Sequence, residues 1–258
     1  MRAIRGLAPI LILAVAAAGT PPSSRSEKPD ADGTLVWHDE FDGTSLDPSK
    51  WRHRGLGRRR DAVNVKDAVR LDGKGHLVIT TRRVGDRYET GMIGTQGTFE
   101  RAFGYWECRV RLQKAVGHWS AFWLQSPRFG RKVGDVEASG TEIDIFEYLR
   151  KRGDVVQHTL HWDGYGKHHQ SAGKKVEVPG FGDGWHTIGL EWTRDAYVFY
   201  VDGKETWRTT SGVSHTPEYI ILSLEVGKWA GDIADADLPD SVLFDYVRVY
   251  ASRPRAGR

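Results

Sequence analysis

Between Leu35 and Ala251 the chain carries strand texture almost throughout. The runs LVWHDEF, HLVITTRR, GYWECRVRL, SAFWLQS, TEIDIFEYL, VVQHTLHW, HTIGLEW, AYVFYV, ETWRT, YIILSLEV and SVLFDYVRVY are rich in Val, Ile, Tyr, Trp and Thr, with Gly, Asp and Pro between them. β-branched and aromatic side chains fit a pleated surface, whereas Gly, Asp and Pro favour turns. The pair AYVFYV and ETWRT flanks DGK, a compact hairpin signal. No segment keeps a helical period beyond two turns, and no long period marks a repeat array. Strands in this number without helices between them predict one all-β domain, an antiparallel sandwich or jelly roll.

The ends read differently. Arg2 and Arg5 precede the apolar run GLAPILILAVAAAG, and small residues around Ala16 to Gly19 suit a signal peptidase, so residues 1–19 are expected to be an export signal. The run is short for a membrane span, and the protein is expected to be secreted, extracellular or periplasmic, with no stable membrane association after cleavage. Residues 20–33, TPPSSRSEKPDADG, have the composition of a flexible linker. Residues 34–252 then form the domain, and 253–258 a basic tail. Of the net charge of +3, Arg2 and Arg5 supply two, so the body is near neutral and nucleic acid is not the expected partner. Cys108 is the only cysteine, which excludes an intramolecular disulfide. Alternation places Trp106, Cys108, Val110 and Leu112 on one face of their strand, with the thiol buried and inert.

The sequence GTEIDIFEY carries the chemistry. Strand side chains alternate, so Glu142 and Asp144 share a face opposite Ile143 and Ile145, and the next position on that face is Phe146. The third acid, Glu147, arrives one residue late. A β-bulge, which sets two residues opposite one, would return it to the acidic face. Two carboxylates about 5 Å apart at an effective dielectric near 20 repel by about 3 kcal/mol, or roughly two pKa units. One of them then keeps a proton while the other ionises, the division of labour that glycoside hydrolysis requires. On a straight strand, positions 142 and 147 would lie about 16 Å apart, so the bulge and a concave bend must close that gap. Trp119 and Trp123, four residues apart, share a face and suit sugar-ring stacking. His158 and His161 follow on the next run, where His161 can orient an acid or a hydroxyl.

These residues resemble glycoside hydrolase family 16, the β-jelly-roll endo-glycanases that include laminarinases, agarases, porphyranases and κ-carrageenases. The similarity runs from about residue 35 to 251 through VWHDEFDGTSLDPSKW, ETGMIGTQGTFERAFGYWECRVRL, GHWSAFWLQS, TEIDIFEY, GWHTIGLEWTRDAYVFYVDG and LFDYVRVY. It implies a concanavalin A-like jelly roll of two antiparallel sheets with a concave substrate cleft. It further implies Glu142 as nucleophile, Asp144 as its assistant and Glu147 as acid/base on the family's bulged strand. Trp119, Trp123 and His161 would line the subsites nearest the cleaved bond, with Asn64, Trp106 and Trp229 as further sugar contacts. Some members hold a structural calcium, and Glu40, the Gly75 carbonyl and Asp245 sit at comparable places; oxygen ligands suit that cation. No cofactor is expected for catalysis, and a monomer is expected.

The substrate is less determined. Laminarinase-like members usually read GEIDIME, whereas Thr141 and Phe146 depart from that pattern here. Arg52, Arg54, Arg58, Arg59 and Arg60 follow Trp51, and Arg recognises sulfate or carboxylate by paired hydrogen bonds. An endo-β-1,3-glucanase is the first expectation. A hydrolase of a sulfated or acidic galactan, a transglycosylase using the same residues and a non-catalytic glycan-binding jelly roll are the alternatives.

Overall fold

The computed structural model describes residues 33–254. The expected export signal, nearly all of the linker and the end of the basic tail lie outside the described residues. Among the described residues no helix is long and apolar enough to cross a membrane.

Among the described residues seventeen strands follow one another, with one four-residue α-helix, Val136–Ser139, and a few 3-10 turns between them. The first nine are β1 (Leu35–Asp39), β2 (Arg52–His53), β3 (Gly57–Arg59), β4 (Ala62–Asn64), β5 (Val69–Leu71), β6 (Leu77–Val84), β7 (Arg87–Gly94), β8 (Gly104–Arg111) and β9 (His118–Gln125). The rest are β10 (Glu142–Leu149), β11 (Val155–Trp162), β12 (Gln170–Glu177), β13 (His186–Trp192), β14 (Tyr197–Val201), β15 (Lys204–Thr209), β16 (Tyr219–Val226) and β17 (Asp240–Tyr250). One sheet runs β12–β11–β10–β9–β16–β7–β2. The other runs β5–β6–β17–β8–β13–β14–β15, with β1 also on β17. A small third ladder joins them through β3, β4, β6 and β7. Its β4–β7 pair is parallel, whereas every other pairing is antiparallel. The fold is the all-β sandwich that the alternating runs imply.

The two inner faces make one core. The first sheet contributes Phe122, Leu124, Ile143, Ile145 and Phe146, and the second Trp106, Cys108, Val110, Leu190 and Val247. Burial pushes the Cys108 thiol well above its ordinary value, so the lone cysteine is a small apolar side chain here. At the β14–β15 hairpin, Asp202 and Gly203 have φ of 49° and 75°, the paired positive angles of a tight turn that matches strand twist.

Two full-length strands escape the apolar runs for opposite reasons. β12, QSAGKKVE, is an edge strand exposed along most of its length, and its lysines discourage pairing with another chain. β7, RYETGMIG, is buried along its second half but carries Gly91 and Gly94 where the chain packs closely. A Cβ on Gly91 would come within 2.4 Å of the Val69 side chain, so this strand trades side-chain bulk for close packing.

Trp106 corrects an expectation. It is fully buried in the core between the sheets, with its ring stacked on Trp192 at 6.3 Å and tilted against Phe99 at 6.0 Å. It therefore faces away from any glycan. The physical reason is its phase: it shares a strand face with Cys108 and Val110, and that face is the inner one. Trp106→Ala should destabilise the fold by about 3–5 kcal/mol. Urea denaturation checks this, and an unchanged midpoint together with weakened glycan binding would restore the subsite reading.

Candidate active site

The entry to β10 is pinned. Gly140 has φ 81°, and a Cβ there would fall 2.1 Å from the Ser126 Cβ, so glycine alone fits. Next, the Thr141 N–H donates to Glu218 Oε1 at 2.9 Å and its hydroxyl to the Gly212 carbonyl. Thr141 thus anchors the start of the strand, which accounts for one of the two departures from the laminarinase pattern.

Beyond it, β10 changes phase. Ile143 and Ile145 enter the core, and Phe146 enters it too, so two successive side chains point inward. The ladders record the same step. Against β11, Asp144 pairs with Thr159 and Glu147 with Gln157, three residues spanning two. Against β9, Asp144 pairs with Trp123 and Phe146 with Phe122, two spanning one. This is a β-bulge, and it returns Glu147 to the face of Glu142 and Asp144. All three acids line one cleft of about 490 Å³.

The neighbours divide the three acids by environment. Glu142 Oε2 accepts hydrogen bonds from Gln125 Nε2 at 2.7 Å and from the Tyr165 hydroxyl. Burial raises the Glu142 carboxyl, and these two donors oppose the rise. Asp144 is 6% exposed, and burial, with Glu147 and Glu142 beside it, holds its carboxyl well above the usual range. Glu147 keeps some contact with solvent. Crowding of its carboxyl by protein atoms, then the charges of Glu142 and Glu225, push it up to about 8, against a weak 3.4 Å hydrogen bond from Thr159. Near neutral pH this group is an acid with a proton to give.

His161 stands opposite Glu142 in the β10–β11 ladder, with Nε2 3.6 Å from Asp144 Oδ2 and Nδ1 2.9 Å from His169 Nε2. Burial, then His169, lowers it to about 4, so its imidazole is neutral. His158 is fully buried and bonded to the Ile145 carbonyl and Thr206, a support for the bulge rather than a cleft group.

Trp119 and Trp123 lie on the cleft face as their spacing implies. Trp123 Nε1 donates to Ser223 Oγ at 3.1 Å, and Trp119 meets Trp229 edge to face at 5.1 Å. Trp229 borders the Glu147 end, beside Thr159 and Gln157. Asn64 does not reach the cleft. It is 3% exposed beneath the Gly55 backbone, and Arg54, Arg59 and Arg60 take the wall above it. Arg59 and Arg60 both bind Glu225, while Arg54 donates to Gln96, Gln125 and Tyr219. Arg60 also covers the Trp119 ring at 5.1 Å.

Three cleft groups escaped sequence reasoning. Gln125 continues the 119–123 alternation by one more step and was legible there. Glu225 is the one acid in a mostly apolar strand. Tyr165 sits in the glycine-flanked loop after β11, and no local pattern points to it.

The two acids expected at a calcium site are paired with arginines. Both Glu40 oxygens accept from the Arg248 guanidinium, at 3.0 and 2.8 Å, and Asp245 accepts from Arg109 at 3.0 Å. Both carboxylates thus have a guanidinium partner, with which a calcium ion would compete.

Comparison with known proteins agrees with the fold. The family described as Glycosyl hydrolases family 16 matches residues 57–248. The beta-glucanase of Rhodothermus marinus is 29% identical over 244 residues, covering 84% of this chain and 84% of that one. The keratan-sulfate endo-1,4-beta-galactosidase of Sphingobacterium multivorum is 26% identical over 259 residues, covering 94% of this chain and 61% of that one. Among solved structures, the laminarinase of Flavobacterium sp. UMI-01 superposes with a TM-score of 0.72 at 27% identity, over 84% of this chain and 100% of that one. With the matched family spanning most of its length and the three acids gathered in one cleft, this chain belongs to glycosyl hydrolases family 16.

Proposed function

We propose that the protein is a retaining endo-β-1,3-glucanase, exported by its N-terminal signal and acting as a monomer. The observation that carries the chemistry is the bulge, which gives Glu142 and Glu147 a common cleft but different surroundings. The beta-glucanase and laminarinase relatives support the glucan.

In this reading Glu147 donates its proton to the glycosidic oxygen while Glu142 attacks the anomeric carbon. The carbon–oxygen bond breaks and a glycosyl ester forms on Glu142. Glu147, now a carboxylate, takes a proton from water, and that water attacks the same carbon and frees Glu142. Gln125 and Tyr165 hold one Glu142 oxygen, which fixes the direction of the other. Burial raises the Asp144 carboxyl, which favours its neutral form over a second charge beside the nucleophile. Trp119, Trp123 and Trp229 offer ring faces and edges to the sugars on either side.

One observation favours a second reading, an anionic galactan. Arg54 lines the cleft without an acidic partner among the described residues. Turnover confined to sulfated polymers and suppressed by salt would select it.

Glu142→Gln and Glu147→Gln should each lower turnover of laminarin by about 10²–10⁴-fold or more while leaving folding intact. Reducing-end release checks this, and activity within a few-fold of wild type in either variant would remove that residue from the mechanism. The first product, followed by proton NMR, should appear as the β-anomer.

Stability provides an independent check. The folded Glu147 carboxyl titrates near 8 against 4.5 for the ordinary group, so the folded chain holds a proton that the unfolded chain releases between these values. Stability from this group is whole below 4.5 and is lost as pH rises through 8. Glu147→Gln removes that loss. The Tm difference between the variant and wild type should grow in the variant's favour from pH 5 to pH 8, and a constant difference would contradict the raised acid.

A further inference from the structure

Glu142, Asp144 and His161 each place a ligand atom within 4.8 Å of the others. Among the described residues this is the one such grouping of three acids or imidazoles. It differs from an acidic patch in two respects. First, the Asp144 side chain is 8% exposed and accepts no hydrogen bond from any described residue; its nearest polar neighbour is His161 Nε2 at 3.6 Å, beyond hydrogen-bond length. A buried carboxyl aimed into a cleft without a donor lacks the partner such groups ordinarily have. Second, one ligand is an imidazole whose other nitrogen is engaged. His169 Nε2 can accept the His161 Nδ1 proton across 2.9 Å, which leaves the Nε2 lone pair facing the two acids. Imidazoles that bind metals are generally held by such an outer contact.

We propose that Glu142, Asp144 and His161 form a binding site for a divalent cation of the zinc class, and that its occupancy blocks the enzyme. The ligand chemistry selects the ion. One nitrogen and two carboxylate oxygens suit zinc, with a fourth position open to water, whereas magnesium prefers an all-oxygen octahedron. Tetrahedral zinc separates its ligands by about 3.4 Å, so the His161–Asp144 pair is already near that spacing and only Glu142 has to draw in. The cation also offsets the repulsion between the two acids. Bound there it would occupy the Glu142 oxygens needed at the anomeric carbon. Zinc binding itself stands on the geometry; blockage rests on the role proposed for Glu142.

The test is calorimetric titration of the folded, metal-free protein with zinc chloride and, separately, magnesium chloride, beside initial rates on laminarin. The expected result is saturable zinc binding, no measurable heat from magnesium, and inhibition by zinc that chelator reverses. His161→Gln should weaken zinc binding by about tenfold or more, and His169→Ala, which removes the outer contact, by about tenfold. Circular dichroism verifies each fold, and Asp144→Asn provides the same test should His161→Gln unfold. Zinc affinity unchanged in both His161→Gln and Asp144→Asn, or no saturable binding at millimolar zinc, would overturn the site. Zinc binding at these ligands without inhibition would overturn the block. Turnover without zinc binding refutes this site and leaves the glucanase reading intact; zinc binding without turnover of any glycan does the reverse.

Discussion

Ile145 and Phe146 point into the core one after the other, and the active site depends on that pair. Strict alternation would send Phe146 into the aqueous cleft and Glu147 into the oil between the sheets. Burying Phe146 is worth about 2–3 kcal/mol, and an unpaired carboxylate in the core would cost more than that. Against these, the bulge disrupts the ladder at only one position, and the His158 ring bonded to the Ile145 carbonyl satisfies the group that the irregularity would leave open. The same kink therefore completes the core behind the strand and assembles the chemistry in front of it.

What stands in front is an electrostatic problem with a use. Burial raises Glu142, Asp144 and Glu147 alike; Glu147 and Glu142 raise Asp144 further, and Glu142 and Glu225 raise Glu147. The surroundings then separate them. Donors from Gln125 and Tyr165 favour charge on Glu142, whereas Asp144 has none and Glu147 has only the distant Thr159 hydroxyl. The arginine wall beside them is partly spent internally, since Arg59 and Arg60 share Glu225. Arg54 is the remaining cation, held by neutral groups at the Glu142 end of the cleft.

Much of this was legible in the residues themselves. The sandwich follows from the apolar runs, and the bulge from one misplaced acid in EIDIFE. Strands without that texture were not legible: β12 is polar because it is an edge, and β7 lacks side chains where neighbours press close. Trp106 shows a different limit. Alternation sorts a strand into two faces without saying which is inside, yet its companions Cys108 and Val110 are small apolar residues that pointed inward. Asn64 and the Glu40–Asp245 pair show a limit set by partnership. Chain position carried them over, whereas burial under Gly55 and the guanidinium contacts of Arg248 and Arg109 are set by residues remote in sequence. Tyr165 was invisible for the same reason, because a loop brings it across the strand order.

The most direct test is covalent trapping with a 2-deoxy-2-fluoro laminari-oligosyl fluoride, read by peptide mass mapping in wild type and in the Glu147→Gln variant. Fluoride leaves without a proton, so both proteins should carry one glycosyl adduct, on Glu142, with Asp144 and residue 147 unmodified. An adduct on Asp144 or Glu147, or turnover of the same reagent with inversion and no adduct, would contradict the assembly of acids that the bulge is held to produce.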